Sequence, residues 1–231
     1  MLIFKKHIEV YILTLFLVFN ISCKKDKPSV DLQKGLVSYF NFDDNLKDQK
    51  GYASDGVPTG NPTFTAGKIG KALTLNGTSQ YVNFTANPSQ SPTGITIAFW
   101  VAANTPPLDG FTRSIVLVTN KNNKFFYLTI DQNNKIFSTL LDQAGSAESS
   151  FIPEVWTHVL MTYNGNDNKL YINGVLADTF TGVGNMSAYF SAILLGKVLT
   201  ENKYLQGSID ELYIYNRALS PAEVTQLYNL K

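Results

Sequence analysis

The chain has 231 residues with 19 Lys+Arg against 18 Asp+Glu, so it is near neutral and offers no basic stripe for a nucleic-acid backbone. A single cysteine, Cys23, rules out a disulfide framework and, with only His7 and His158 as histidines, a His/Cys zinc centre. The length suits one large core, which has to hold without covalent staples.

Lys5 and Lys6 precede an apolar run from Val10 to Phe19, and Ile21-Ser22-Cys23 follows. The run is short for a membrane-spanning helix and has the layout of a secretory signal. A small residue directly before Cys23 predicts a lipoprotein processing site with Cys23 as the lipidated residue. Asn20 departs from the leucine-like residue such signals normally carry three positions before the cysteine. Residues 1–23 therefore read as a signal peptide ending at the lipidated cysteine, 24–34 as a flexible tether, and 35–231 as the folded domain. Without Lys5, Lys6 and Glu9 the basic count falls from 19 to 17 and the acidic count from 18 to 17, so the exported part is neutral.

Gly35 to Phe42 reads as a first strand, followed by an acidic, turn-rich loop containing Asp43, Asp44, Asn45, Asp48 and Asp55-Gly56. Leu73 and Leu75 lead through Asn76-Gly77 to Tyr81, Val82 and Phe84, which predicts a hairpin. Ile95 to Val101 is apolar at nearly every position and predicts a central strand buried on both faces, with Trp100 in core packing. Ile115 to Val118, Phe125 to Ile130 and Ile136 to Leu141 read as a meander. Trp156 to Tyr163 pairs with Leu170 to Ile172, and Asn173-Gly174 turns into Val175 to Phe180. Ile193 to Leu195 precedes a closing strand.

That closing strand alternates, with Ile209, Glu211, Tyr213 and Tyr215 on one side and Asp210, Leu212, Ile214 and Asn216 on the other. Ser220-Pro221-Ala222-Glu223 then supplies an N-cap, a proline at the first helical position and a glutamate that closes a capping box. Such a cap is worth about 1 kcal/mol. Short strands with almost no helical periodicity before Ser220 predict an antiparallel sandwich.

Four stretches carry a resemblance: GLVSYFNFDDNLKD from Gly35, GKALTLNGTSQYVNF from Gly70 with ITIAFWV after it, WTHVLMTYNG from Trp156 with LYINGVL, and GSIDELYIYNRALSPAEVTQLY from Gly207. Together they resemble the LamG-like jelly-roll domains of the concanavalin A-like lectin/glucanase superfamily. The resemblance implies an all-β, antiparallel jelly-roll β-sandwich with a short C-terminal helix. It is specific for fold, and this fold hosts unrelated functions.

Polysaccharide-cleaving members of that superfamily carry glutamates at alternate strand positions around an aspartate, and this chain has no such run. Asp210 and Glu211 are adjacent, so on a regular strand they face opposite ways. A retaining hydrolase needs two carboxylates about 5 Å apart on one groove. His158 shares an alternating face with Trp156 and Leu160 and reads as a structural histidine. The sequence thus predicts a non-catalytic cell-envelope binding module, with a glycan as ligand. The alternatives are a protein-binding or adhesion module of laminin-G type, and a hydrolase or lyase with an unrecognised acidic pair.

Oxygen ligands suit calcium. The resemblance implies a structural Ca2+ held between the loop after the first strand (Asp43, Asn45 and Asp48) and Asp210 of the closing strand; Asp44 stands where the family more often has glycine. A glycan site needs exposed aromatic faces flanked by planar polar groups. The aromatics outside clear core positions are Phe111, Tyr189 and Tyr204, with Arg113, Asn122 and Asn123 as polar partners. The partners expected are a glycan or a cell-surface protein, and the membrane through the lipid anchor alone, in the outer membrane.

Overall fold

The computed structural model describes residues 30–85, 94–106, 109, 111–119, 125–140, 146–181, 192–198 and 201–230. Their strands form two antiparallel sheets. One runs in the order β13 (Val175–Thr181), β12 (Asp167–Ile172), β11 (Thr157–Tyr163), β6 (Ile95–Ala103), β15 (Gln206–Tyr215), β4 (Lys71–Asn76), β3 (Thr63–Ala66), with β1 (Leu36–Phe40) on the later half of β15. The other runs β10 (Ser146–Ser150), β9 (Lys135–Leu140), β8 (Phe125–Ile130), β7 (Arg113–Thr119), β14 (Ala192–Leu195), β5 (Tyr81–Thr85), β2 (Val57–Thr59). The helix α1 (Pro221–Tyr228) follows β15.

Side chains alternate along each strand, so one face of each sheet is apolar and the two faces close on each other. Phe99, Val159, Ile209 and Leu73 from the first sheet meet Val118, Phe126, Ile193 and Phe84 from the second in one fully buried cluster. The apolar run from Ile95 sits where a doubly covered strand belongs, with β11 on one side and β15 on the other.

The outer face of the first sheet has its own small core, in which Ala98, Leu160, Tyr171 and Tyr215 pack against Leu219, Val224 and Leu227 of the α1 region. The capping box is present: Ser220 accepts from Glu223 N and Glu223 reaches back to the Ser220 amide. Glu223 also pairs with Arg217 at 2.6 Å, and the Arg217 hydrogen bond is the main reason its carboxyl is held down at about 2. Thr96 Oγ1 donates to Arg217 O (2.8 Å) and accepts from Leu219 N (3.0 Å), tying the turn before α1 to the central strand.

Several expectations change in three dimensions. The stretch from Leu73 to Phe84 is not a hairpin: β4 joins the first sheet and β5 the second, so the Asn76-Gly77 turn carries the chain between layers. Residues 30–34, expected within the tether, pack on the domain; Val30 and Leu32 join the α1 cluster and Arg217 Nε donates to Lys34 O at 2.8 Å. Trp100 is buried, but on the outer face against Tyr228 (ring centroids 5.6 Å) rather than in the inter-sheet core.

The regular alternation of β15 fails at Glu211. The register against β6 slips between Asp210 and Tyr213, and Glu211 takes φ 53°. An extra residue of this kind is a β-bulge. Ile209 faces the inter-sheet core before it, and Leu212 and Ile214 after it. Asp210, opposite Trp100, and Glu211, bonded to Tyr213, therefore share the outer face.

Candidate functional site

The rim at the start of β7 gathers the described aromatic candidates. Phe111 keeps 43% of its surface exposed, whereas Arg113 is only 6% exposed. Arg113 Nη2 pairs with Asp109 Oδ2 at 2.7 Å, and Arg113 Nη1 donates to Phe111 O at 3.1 Å. Lys203, between β14 and β15, reaches the same Asp109 oxygen at 2.9 Å and places its ammonium 4.1 Å from the Phe111 ring centroid. Hydrogen bonds from Arg113 and then Lys203 hold the Asp109 carboxyl well below the usual carboxylate range. Sharing its carboxylate between two cations holds Asp109 against the start of β7.

Phe111 and Thr112 form one wall of a cleft of about 200 Å³ whose other wall is Asp131, Gln132, Asn133 and Phe137. The β8–β9 turn is shaped by Asp131, whose Oδ1 accepts from Asn133 N (2.9 Å) and Lys135 N (2.8 Å). Asn134 takes φ 58° there, a conformation asparagine tolerates better than most side chains. The cleft thus sets an exposed aromatic ring beside planar amide and carboxylate groups.

Tyr204 belongs to the same neighbourhood but not to the cleft. With Arg113 it lines a separate cavity of about 40 Å³, and its ring stands 6.4 Å from Tyr81. Cys23, Asn122, Asn123 and Tyr189 lie outside the described residues. Asp109 and Lys203 are not singled out by the sequence; the i,i+4 spacing of Asp109 and Arg113 is the one local hint.

The four residues expected around calcium do not form one cluster, and among the described residues no group of three or more His, Cys, Asp or Glu side chains does so. Asp48 is saturated by β1 and its own loop, accepting from Ser38 Oγ and Ala53 N on Oδ2 (2.8 Å each) and from Tyr39 N (3.0 Å) and Lys50 N (2.9 Å) on Oδ1. Asn45 is spent on a local turn, donating to Asp43 O at 2.7 Å and accepting from Lys47 N at 3.0 Å. Asp43 and Asp210 instead flank one loop, 67–71: Lys71 N donates to Asp43 Oδ1 (2.8 Å) and Ile69 N to Asp210 Oδ2 (2.9 Å). Asp44, the extra carboxylate, pairs with Lys71 Nζ at 2.7 Å.

Asp210 and Glu211 share a face through the bulge, yet they are 0% and 4% exposed. Burial pushes Asp210 up to about 6 and raises Glu211. Glu211 accepts from Tyr39 OH (2.9 Å) and Tyr213 OH (2.6 Å), whose rings stack at 4.6 Å. These are buried carboxylates satisfied by protein donors.

A family model described as the concanavalin A-like lectin/glucanases superfamily matches residues 76–225. Over 89 residues, 35% of the chain, it is 34% identical to Adhesion G-protein coupled receptor D1 of Homo sapiens, and this stretch spans 10% of that receptor. Domain 4 of AbnA, an extracellular arabinanase of Geobacillus stearothermophilus solved in complex with arabinotriose, superposes with TM-score 0.69 at 24% identity, over 84% of this chain and 98% of that one. The binding domain of botulinum neurotoxin DC, solved with rat synaptotagmin II, superposes with TM-score 0.68 at 21% identity, over 84% of this chain. The chain spans 51% of that toxin chain. At these identities the likeness establishes the jelly-roll fold. Among the described residues no helix is long and apolar enough to cross a membrane.

Proposed function

Because the chain belongs to the concanavalin A-like lectin/glucanase superfamily, we propose that it is a non-catalytic glycan-binding module, exported and held at the outer membrane through Cys23. The observation that carries the reading is the Phe111 cleft, an exposed aromatic ring beside Asp131, Gln132 and Asn133. A sugar ring stacks its C–H face on an aromatic surface while planar polar groups take its hydroxyls. The Asp109–Arg113–Lys203 network holds the backbone at Phe111 before a ligand arrives, which lowers the ordering cost of binding. The arabinotriose-bound relative supports a glycan as first choice.

Phe111→Ala is expected to weaken the ligand found on a glycan array by at least about tenfold in isothermal titration. Its thermal midpoint is expected to stay at the wild-type value, because the ring is already half in water. Equal affinity in the variant removes this cleft from the reading.

Catalysis finds no support in the Asp210–Glu211 pair, which is buried and engaged by tyrosines. A protein-docking role draws on the tip of the β12–β13 hairpin, where Val175 and Leu176 are 69% and 49% exposed on an edge strand. It predicts a silent glycan array.

For a structural calcium, the ligands proposed are Asp43 and Asp210, the two carboxylates that flank loop 67–71. An ion there would brace this loop to β15, and Asp48 would take no part. Calcium at about a hundred times its Kd is expected to add about 2.7 kcal/mol to unfolding stability, read as a thermal midpoint that falls in chelator. Asp43→Asn should abolish the difference, and identical melting with calcium and with chelator in the wild type rejects the ion.

A further inference from the structure

An open groove lies on the opposite layer, where loop 67–71 faces the C-terminal end of α1. It measures about 430 Å³ and is lined by Lys68, Ile69, Trp100, Tyr228, Asn229 and Leu230. A volume of this order suits a mono- or disaccharide.

Lys68 Nζ stands 4.4 Å from the Trp100 ring centroid. Among the described residues no carboxylate is within ion-pair distance of it. Asp210, across from Trp100 on β15, is fully buried, and its oxygens accept from Ile69 N and Glu211 N. The groove therefore presents an unpaired ammonium above an indole, a second aromatic wall in Tyr228, an apolar edge in Leu230 (41% exposed) and one amide in Asn229.

The position of Trp100 is imposed by the fold. β6 is the central strand, and Trp100 points outward from it between Asp210 and His158. Its ring lies 5.1 Å from that of His158 and 5.6 Å from that of Tyr228, which is itself set against the Asn173-Gly174 turn. Neighbours on three sides lock the indole and leave the side under Lys68 as the approach. An ammonium over an aromatic ring is a modest attraction, about 0.5–1 kcal/mol at an open site, so a better anion can draw the lysine away.

The geometry points to a second binding site in this groove, for a sugar ring that carries a carboxylate. The carboxylate replaces Trp100 as the partner of Lys68; the indole is 6% exposed beneath the lysine, so the ring's apolar face lies along Tyr228 and the part of Trp100 that Lys68 uncovers as it turns to the carboxylate. A neutral sugar would gain the stacking without the ion pair, and a bare anion the ion pair without the stacking. The site is independent of the Phe111 cleft, which lies on the rim of the other sheet.

The chain has two tryptophans, Trp100 and Trp156, so Trp156→Phe leaves Trp100 as the sole indole reporter. In that background, trigalacturonate and N-acetylneuraminate are expected to change the fluorescence saturably, and neutral galactotriose is not. Lys68→Met should weaken the acidic sugars at least tenfold with an unchanged thermal midpoint, since the Lys68 backbone and its loop are retained, and Lys68→Arg should restore binding. Raising salt should weaken binding, as for an ion pair open to solvent. Phe111→Ala should leave the response intact, which separates this site from the rim cleft. An equal response to the neutral sugar, an unaffected Lys68→Met, loss in Phe111→Ala, or no saturable response at about 10 mM ligand each overturns the proposal.

Discussion

Truncating Phe99 to alanine is expected to cost about 3–5 kcal/mol of unfolding free energy. Phe99 is fully buried at the middle of β6, between β11 and β15, and it faces the second sheet. Strands paired on both sides cannot close in on the space a ring leaves, so the cost includes a cavity as well as lost burial. The domain has no disulfide to offset such a loss. Urea unfolding checks it: the midpoint should fall with the slope unchanged. A loss below about 1 kcal/mol would mean the two sheets do not meet at this residue.

The second large effect is an acid sensitivity set by His158. Its side chain is 1% exposed on the outer face of β11, packed between Trp100 and Tyr228, and burial pushes its imidazole down to about 4. The unfolded chain binds the proton near pH 6.5 while the folded chain refuses it until about 4. Stability from this group is therefore complete above pH 6.5 and lost as pH falls through the window, by about 3 kcal/mol in total. Asp210 is raised to about 6, so its contribution runs the other way and partly cancels the slope of the wild type. The quantity to read is the difference between wild type and His158→Gln in urea midpoint at pH 7 and pH 4.5. The variant should lose less stability on acidification, and parallel pH profiles would show that His158 is not buried neutral.

The part of the candidate site that was legible was its composition. Phe111 stands outside the clean alternation of the strands, which marks a loop rim, whereas Arg113 opens β7 and is buried. The partners that fix them were not legible, because Asp109 and Lys203 are 94 positions apart and meet only when β7 and the chain after β14 converge. The positions of the residues expected around calcium were not legible for a similar reason. Asp43, Asn45 and Asp48 look equivalent in sequence, but Asp48 turns inward to accept from two donors of β1 and two of its own loop.

Periodicity and capping were decided locally. Alternation of apolar residues marks a half-buried strand wherever it occurs, the unbroken run from Ile95 marks a strand covered on both sides, and Ser220 to Glu223 starts a helix through contacts within one turn. Those features depend on neighbours a few residues away, so the chain carries them in plain order. Layer assignment was decided only by tertiary structure: β4 and β5 read as one hairpin and belong to different sheets. So was the bulge at Glu211, which exists because β15 must pair β4 and then β1 along one edge while following β6 along the other. Pairing between distant strands depends on which apolar faces close together, and no short stretch of sequence contains both partners.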